Sequence, residues 1–425
     1  MSSMTTDSTF PPNPDAMAVV ESVYQASLIM AQTSSQQRTR ALEEMAKSLK
    51  QASDDILEAN TLDLEASREM AVPDLILEWL KLTPERIQTT VQILQRLAEL
   101  SDPMRRVMNA SYQVEGSQSY CQLMPLGVIS LVYEALPDLG AIAAGLCIKT
   151  GNCLILKGGM YGAHTNAAIA DALQRALLKV EMPESCLEMI PAEMGVSTRD
   201  LVRQDKYINL VIPYGRPSLV QQVIRQATVP VLKSGMGNCY LYWSPSGSMD
   251  LARWVIQDSH QSEPDPVNAI EKVLIHRNQK PSSLTMLFNS LQDKGFEVRV
   301  DDLLSEEFSE LKKVEESEWS SAYLTKTVAF KVVDNLEAAI AWINQYSSGH
   351  ADCIVTESYL ESSQFGGGVN SASTYINASP RFYRYPKQGD AIFLGMSNQK
   401  GHRRGLIGLE SLTTVKHIIQ GKGQV

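Results

Sequence analysis

The chain has 425 residues, of which 44% are apolar and 20% charged, and its formal net charge is −10. That length allows two domains sharing a broad interface or one large α/β assembly, and the acidic balance excludes nucleic acid as a bulk partner, because phosphate contacts need clustered Lys and Arg. No apolar run approaches the ~20 residues of a membrane span, and the Ser/Thr/Pro-rich stretch Met1 to Asp15 lacks the basic start and apolar core of a signal peptide, so residues 1–16 read as a disordered tail and the location as cytoplasmic.

The first third is helical. Ser34 and Gln37 form a capping box ahead of Leu42, Met45, Ala46 and Leu49, which share one helical face. Ser53-Asp54-Asp55 marks a second helix start, and Thr83-Pro84-Glu85 a third, with proline at the first helical position. Arg106 to Met124 holds two short alternating runs broken at Glu115-Gly116, which predicts a β-hairpin.

From Pro125 strands and helices alternate. Strands are expected at Val128–Tyr133, Cys153–Lys157, Leu187–Ile190 and Ile208–Ile212, with helices at Leu139–Ile148, Thr165–Val180 and Pro217–Ala227. A second alternating segment begins near Asn238. Its strands are Tyr240–Trp243, Lys272–His276, Val328–Val333 and Cys353–Thr356, and its helices Asp250–Gln257, Ser282–Lys294 and Leu336–Tyr346. The acidic stretch Leu303–Glu318 reads as a solvated excursion. Short buried strands alternating with helices predict an α/β fold of two doubly wound parallel-sheet domains. The cysteines, Cys121, Cys147, Cys153, Cys186, Cys239 and Cys353, contain no C-x-x-C pair, and the histidines show no ligand spacing, so free thiols and no metal are expected.

The run Glu263-Pro264-Asp265-Pro266-Val267-Asn268-Ala269-Ile270-Glu271 resembles the catalytic loop of glutamyl-phosphate reductases (glutamate-5-semialdehyde dehydrogenases), which reads Arg-Pro-Gly-Val-Cys-Asn-Ala-Leu-Glu. Further runs match that family in order. They are Pro125 to Ile129, Leu146 to Asn152, Ala227 to Lys233, Gly349 to Glu357, Gln399 to Gly405 and Gly408 to Thr414, so the resemblance covers about Met17 to Gln424. It implies an aldehyde dehydrogenase-like fold with a cofactor-binding domain (17–105 and 125–237), a catalytic-type domain (238–413) and an oligomerisation arm (106–124 and 414–425). It also implies a homo-oligomeric oxidoreductase that reduces L-glutamyl 5-phosphate to the semialdehyde with NADPH, in proline biosynthesis. The ligands would be a nucleotide and a glutamyl-type molecule.

Lys157 and Gly159, in Ile155-Leu156-Lys157-Gly158-Gly159, are placed by the resemblance at a cofactor ribose or 2′-phosphate; without it, Lys157 reads equally as a surface lysine after a buried strand. Gly215, Arg216 and Ser218 open a helix whose free N–H groups suit a pyrophosphate. The family usually has a second glycine where Arg216 stands. Arg216 either meets a phosphate or blocks close backbone approach.

The catalytic positions depart from the family. Its nucleophilic cysteine is Val267, beside Asn268, and an isopropyl group has no lone pair with which to attack. Its oxyanion-donor asparagine is Asp138; losing such a donor typically costs ~2.7–4 kcal/mol. A carboxylate there also repels an acyl phosphate by about 4 kcal/mol at ~4 Å and an effective dielectric near ~20 unless Asp138 is protonated. Its ribose-holding glutamate is Ala322, and its Asn-Ala-Lys run aligns Asp258 and His260 with the asparagine and lysine. Cys239 is the thiol nearest in sequence, but the family often has cysteine there beside its true nucleophile, which favours a structural role; His260 is a candidate base. Direct hydride attack on the acyl phosphate would still need an oxyanion donor. The reading is a reductase homologue with weak or absent activity, or else a catalytically inactive paralogue with a nucleotide-binding regulatory or scaffold role.

Overall fold

The computed structural model describes residues 14–115, 117–261, 265–399, 404–421 and 423. Five helices come first: Pro14–Met30, Ser35–Gln51, Ser53–Glu69, Asp74–Leu80 and Pro84–Glu99. Ser34 Oγ accepts from the Gln37 N–H while Gln37 Oε1 accepts from the Ser34 N–H, and Thr83 caps the fifth helix with Pro84 at its first position. The first helix corrects the expected tail at its inner end: Pro14, Asp15 and Ala16 are helical, and Ala16 is fully buried.

The first helix packs on a four-stranded parallel sheet, ordered Leu187–Met189, Cys153–Lys157, Val128–Tyr133 and Leu210–Tyr214, and the second, third and fifth pack on the helices Asp138–Lys149 and Ala163–Lys179 that cover it. Val128–Tyr133 is buried along its whole length, as a parallel strand covered on both faces must be. The helix Asp138–Lys149 is buried nearly all round, which its small residues permit: a Cβ on Gly145 would come within 2.6 Å of the Leu94 side chain. The fourth strand starts and ends two residues later than expected and runs through Pro213. It borders the sheet, where a missing N–H is tolerated.

The second sheet has seven parallel strands in the order Lys312–Lys313, Glu297–Val300, Thr327–Val333, Ile270–His276, Cys239–Trp243, Ala351–Val355 and Ser373–Ile376. The expected solvated excursion is corrected here. It holds the helix Asp302–Glu307, the edge strand Lys312–Lys313 and a 3-10 turn, Glu316–Ser320, that buries Trp319.

Two smaller antiparallel sheets complete the molecule. Ser234–Gly235, Gly395–Ser397 and Gly405–Ile407 form one, which the alternation did not foretell. The other joins Val107–Asn109 and Thr413–Gly421 to Ser117–Pro125, in register from Thr413 opposite Pro125 to Gly421 opposite Ser117. The hairpin break at Glu115-Gly116 is described only up to Glu115, and Lys422, Gln424 and Val425 also lie outside the described residues. No described helix is long and apolar enough to cross a membrane.

Candidate active site

Pro266 to Asn268 enter the strand Ile270–His276 from a loop whose earlier part, Glu263 and Pro264, lies outside the described residues. Val267 is 0% exposed and packs with Phe382 and Met396, flanked by Ala372 and Phe393. Its carbonyl accepts from His350 Nε2 at 2.6 Å and from the Gly237 N–H at 3.1 Å. Asn268 Nδ2 donates to the Pro380 carbonyl at 2.8 Å, so Asn268 braces the loop. Asp265, fully buried, accepts from the Tyr214 hydroxyl and from Arg384 at 2.8 Å. A valine sealed this way contributes about 1.5–3 kcal/mol through burial and offers no atom for covalent chemistry.

Cys239 does not replace it. The side chain is 0% exposed in the core of the seven-stranded sheet, with Sγ 3.2 Å from His350 Nε2, and burial pushes the thiol well above its usual range. His260, partly exposed in the cleft wall, is engaged against its expected use as a base: Nε2 bonds the Ile270 carbonyl at 2.9 Å, the ring meets Phe296 edge-on, and desolvation pushes its pKa down to about 4.

Asp138 is the first residue of its helix, and its carboxylate lies 2.6 Å from the Arg86 guanidinium. Arg86 also donates to the Trp79 and Lys81 carbonyls, which fixes it in place. The expected repulsion is offset in the structure by the guanidinium of Arg86 beside this carboxylate. The paired carboxylate still has only acceptors, so it cannot donate to an oxyanion. Arg86 itself carried no signal in the sequence, lying 52 positions away on another helix.

Arg86 and Asp138 line a cleft of about 810 Å³ whose other charged walls are Lys294, Lys326, Arg381 and Arg384. Of the five basic lining side chains, Arg86, Arg381 and Arg384 are paired with Asp138, Asp258 and Asp265, so Lys294 and Lys326 carry the cationic surplus of the cleft. Arg381 is steadied by Gln261 at 2.9 Å and Asp258 at 3.3 Å. A second cavity of about 530 Å³ has Gly215, Arg216, Ser218, Lys233, Asn238 and Ala322 in its wall. A third of about 490 Å³, passing Pro266, lies between them, sharing the wall residues Arg86, His260 and Lys326 with the first and Leu75 and Leu324 with the second.

Of the cofactor candidates, Gly215, Arg216 and Ser218 converge on this second cavity, whereas Lys157 and Gly159 are absent from its wall. Lys157 is half-buried at the end of its strand; burial lowers its pKa and Glu193 acts in the opposite sense. Gly159 serves packing: a Cβ there would fall 2.1 Å from the Glu134 carbonyl oxygen. Sequence reading also missed Glu271, fully buried, which accepts the Asn238, Tyr323 and Leu324 N–H groups, each at 2.8 Å. Asn238 and Leu324 have φ of 53° and 58°, so this carboxylate holds two left-handed turns in the cavity wall.

Parallel sheets meeting at such a cleft define an aldehyde dehydrogenase-like architecture, and the sequence profile of the aldehyde dehydrogenase family matches residues 12–237. A probable aldehyde dehydrogenase from Listeria monocytogenes, only 14% identical, shares the fold with a TM-score of 0.71 over 97% of this chain and 98% of its own. Gamma-glutamyl phosphate reductase 2 of Synechocystis sp. is 53% identical over 407 residues, 96% of this chain and 97% of the relative. Gamma-glutamyl phosphate reductase of Gloeobacter violaceus is 39% identical over 94% and 95%. The crystal structure of gamma-glutamyl phosphate reductase from Thermotoga maritima superposes with a TM-score of 0.87 at 31% identity, covering 96% of this chain and 99% of that one. The chain belongs to the gamma-glutamyl phosphate reductase family.

Membership implies a nicotinamide cofactor, and the cavity beside Gly215 is where its phosphates would meet a helix N-terminus. The residues there do not fit a pyrophosphate as they stand. Glu134 Oε2 already accepts the Arg216 N–H at 3.1 Å, Arg216 Nε donates to Glu134 Oε1 at 2.9 Å, and the guanidinium closes the pair. Ala322 brings no hydrogen-bonding group to the wall.

Proposed function

We propose that this chain is a gamma-glutamyl phosphate reductase homologue that has lost the covalent stage of the reaction and keeps a cleft for a small glutamyl-type anion. The reaction implied by the family, NADPH-dependent reduction of L-glutamyl 5-phosphate to the semialdehyde in proline biosynthesis, is weak or absent in it. The observation that carries this reading is the packing of Val267 against Phe382 and Met396 with no side-chain exposure, at the position aligned with the nucleophile. The buried Cys239 and the acceptor-only Asp138 point the same way, while Lys294 and Lys326, the cationic surplus left after the three arginines pair with carboxylates, support retained anion binding. A second reading, a catalytically inactive paralogue acting as a regulatory or scaffold subunit in the cytoplasm, is favoured by the sheet built from Val107–Asn109, Ser117–Pro125 and Thr413–Gly421. We assign that sheet to contact between copies of the chain.

The test is the reverse assay on the purified protein with glutamate 5-semialdehyde, inorganic phosphate and NADP, alongside calorimetric titration with phosphate. The expected result is salt-sensitive phosphate binding with NADPH formation at the blank level. Turnover above blank that disappears in Cys239→Ala would overturn the loss of covalent chemistry.

A further inference from the structure

The cleft lined by Arg86 and Asp138 is walled in part by an irregular segment. Residues 377–394, between the strands Ser373–Ile376 and Gly395–Ser397, contain no helix or strand, and Arg381 to Tyr385 line the cleft. The helix Pro84–Glu99 lines it too, with Thr89, Thr90 and Ile93 besides Arg86. Within the segment, residues 384–393 make a loop whose ends meet, since the Phe393 N–H donates to the Arg384 carbonyl at 3.0 Å. Both ends are anchored: Arg384 donates to Asp265 and to the Tyr214 hydroxyl, each at 2.8 Å, and Ile392 is buried. Between the anchors, Lys387 to Asp390 are exposed. Gly389, at φ 92° with open space around it, turns the chain just before Asp390. The Asp390 carboxylate then pairs with Arg96, one turn beyond Ile93 on the cleft-lining helix. The loop thereby bridges the rim of the cleft, from the segment to the helix.

We propose that this loop is a gate on the cleft and that the Arg96–Asp390 ion pair is its latch: an anionic ligand exchanges with the cleft only while the pair is open. The proposal rests on reading the cleft as a small-anion site. The strength of the latch suits that use. Arg96 is 28% and Asp390 82% exposed, so water and salt screen the pair and it breaks readily. Arg96 keeps a second partner, Glu99 at 2.9 Å, when Asp390 leaves. Opening uncovers little apolar surface, because the exposed stretch is Lys387-Gln388-Gly389-Asp390. The buried pairing of Arg384 with Asp265 meanwhile holds the base of the loop in place. Loops with few buried contacts sit at the low-stability end of a fold, from which lids are drawn.

The test follows inorganic phosphate on the full-length protein, with affinity from calorimetry and exchange rates from phosphorus NMR relaxation dispersion. Arg96→Gln and Asp390→Asn each remove one half of the latch, at surface positions that leave the core intact. Both are expected to speed phosphate association and dissociation about two- to fivefold with little change in affinity, the factor that loss of an exposed ion pair gives. The double variant is expected to match the singles, because either substitution alone already opens the latch. Charge without gating predicts a different pattern: removing the cation weakens phosphate binding, and removing the carboxylate strengthens it. Opposite movements in the two variants, or exchange unchanged in both, overturn the gate and leave the anion site. Phosphate binding to none of these proteins removes the anion site, and the gate with it.

Discussion

Val267 stands where the family resemblance puts the nucleophile, and on that reading a sulfur introduced there alone leaves its surroundings unchanged. The new thiol of Val267→Cys would sit in the same closed cluster with Phe382 and Met396, beside an Asp138 that donates nothing. The variant is expected to fold with a loss of about 1 kcal/mol, as for removal of one buried methyl group, and to stay at the blank level in the reverse assay. Adding Asp138→Asn supplies an amide donor and is expected to raise the rate at least about tenfold over Val267→Cys, a conservative share of what one oxyanion donor contributes. Full activity from Val267→Cys alone would mean that the rest of the site is sound. The reading of Val267 as the nucleophile position rests on the resemblance of the run Glu263 to Glu271. The partner of Asp138 was not legible in the sequence, since Arg86 lies 52 positions away on a helix whose pattern reports only its buried face. The same distance hid Arg384, 119 positions from Asp265, and Glu134, 82 positions from Arg216.

At the scale of elements, strands buried on both faces were read to within a residue or two, because continuous apolar runs bounded by glycine or a helix cap leave few alternatives. The short antiparallel sheet around Gly395–Ser397 and the edge strand Lys312–Lys313 were not read. Each is two or three residues long and is specified by its neighbours, not by its own pattern. His350, just before the strand Ala351–Val355, ties that element to the Val267 carbonyl. Burial pushes its pKa from 6.5 down to about 4. The folded state therefore refuses a proton that the unfolded chain accepts below pH 6.5, and stability falls as pH drops from 6.5 towards 4. The slope from this one group is about 1.4 kcal/mol per pH unit. His350→Gln keeps an amide donor for the carbonyl and cannot titrate. In urea unfolding between pH 7 and pH 5, the wild type is expected to lose about 2 kcal/mol more than the variant. Parallel stability profiles for the two proteins would show that the buried imidazole takes no part in the pH dependence.

On the scale of the whole molecule, the three-stranded sheet containing Thr413–Gly421 carries several apolar side chains into solvent. Thr413–Gly421 pairs on one side with Ser117–Pro125, and beyond Thr413 none of its residues is fully buried. Val415 and Ile419, an even number of positions apart and so on one face, are 42% and 49% exposed, while Met124 and Val107, 40% and 61% exposed, lie on the other face, because Met124 pairs with Thr414 and Val107 with Gln122 opposite Lys416. A small sheet with apolar side chains open to solvent on both faces is marginal in water unless another layer covers it. Family resemblance assigned these residues to an arm between subunits, and their exposure in a single chain supports that assignment. The wild type is expected to sediment as an oligomer at micromolar concentration. The double substitution Val415→Asp and Ile419→Asp, which places two charges on that face, is expected to sediment as a monomer with the main melting transition retained, because both side chains lie outside the hydrophobic cores. If the wild type sediments as a monomer, or the double variant assembles as before, the sheet has some role other than joining copies of the chain.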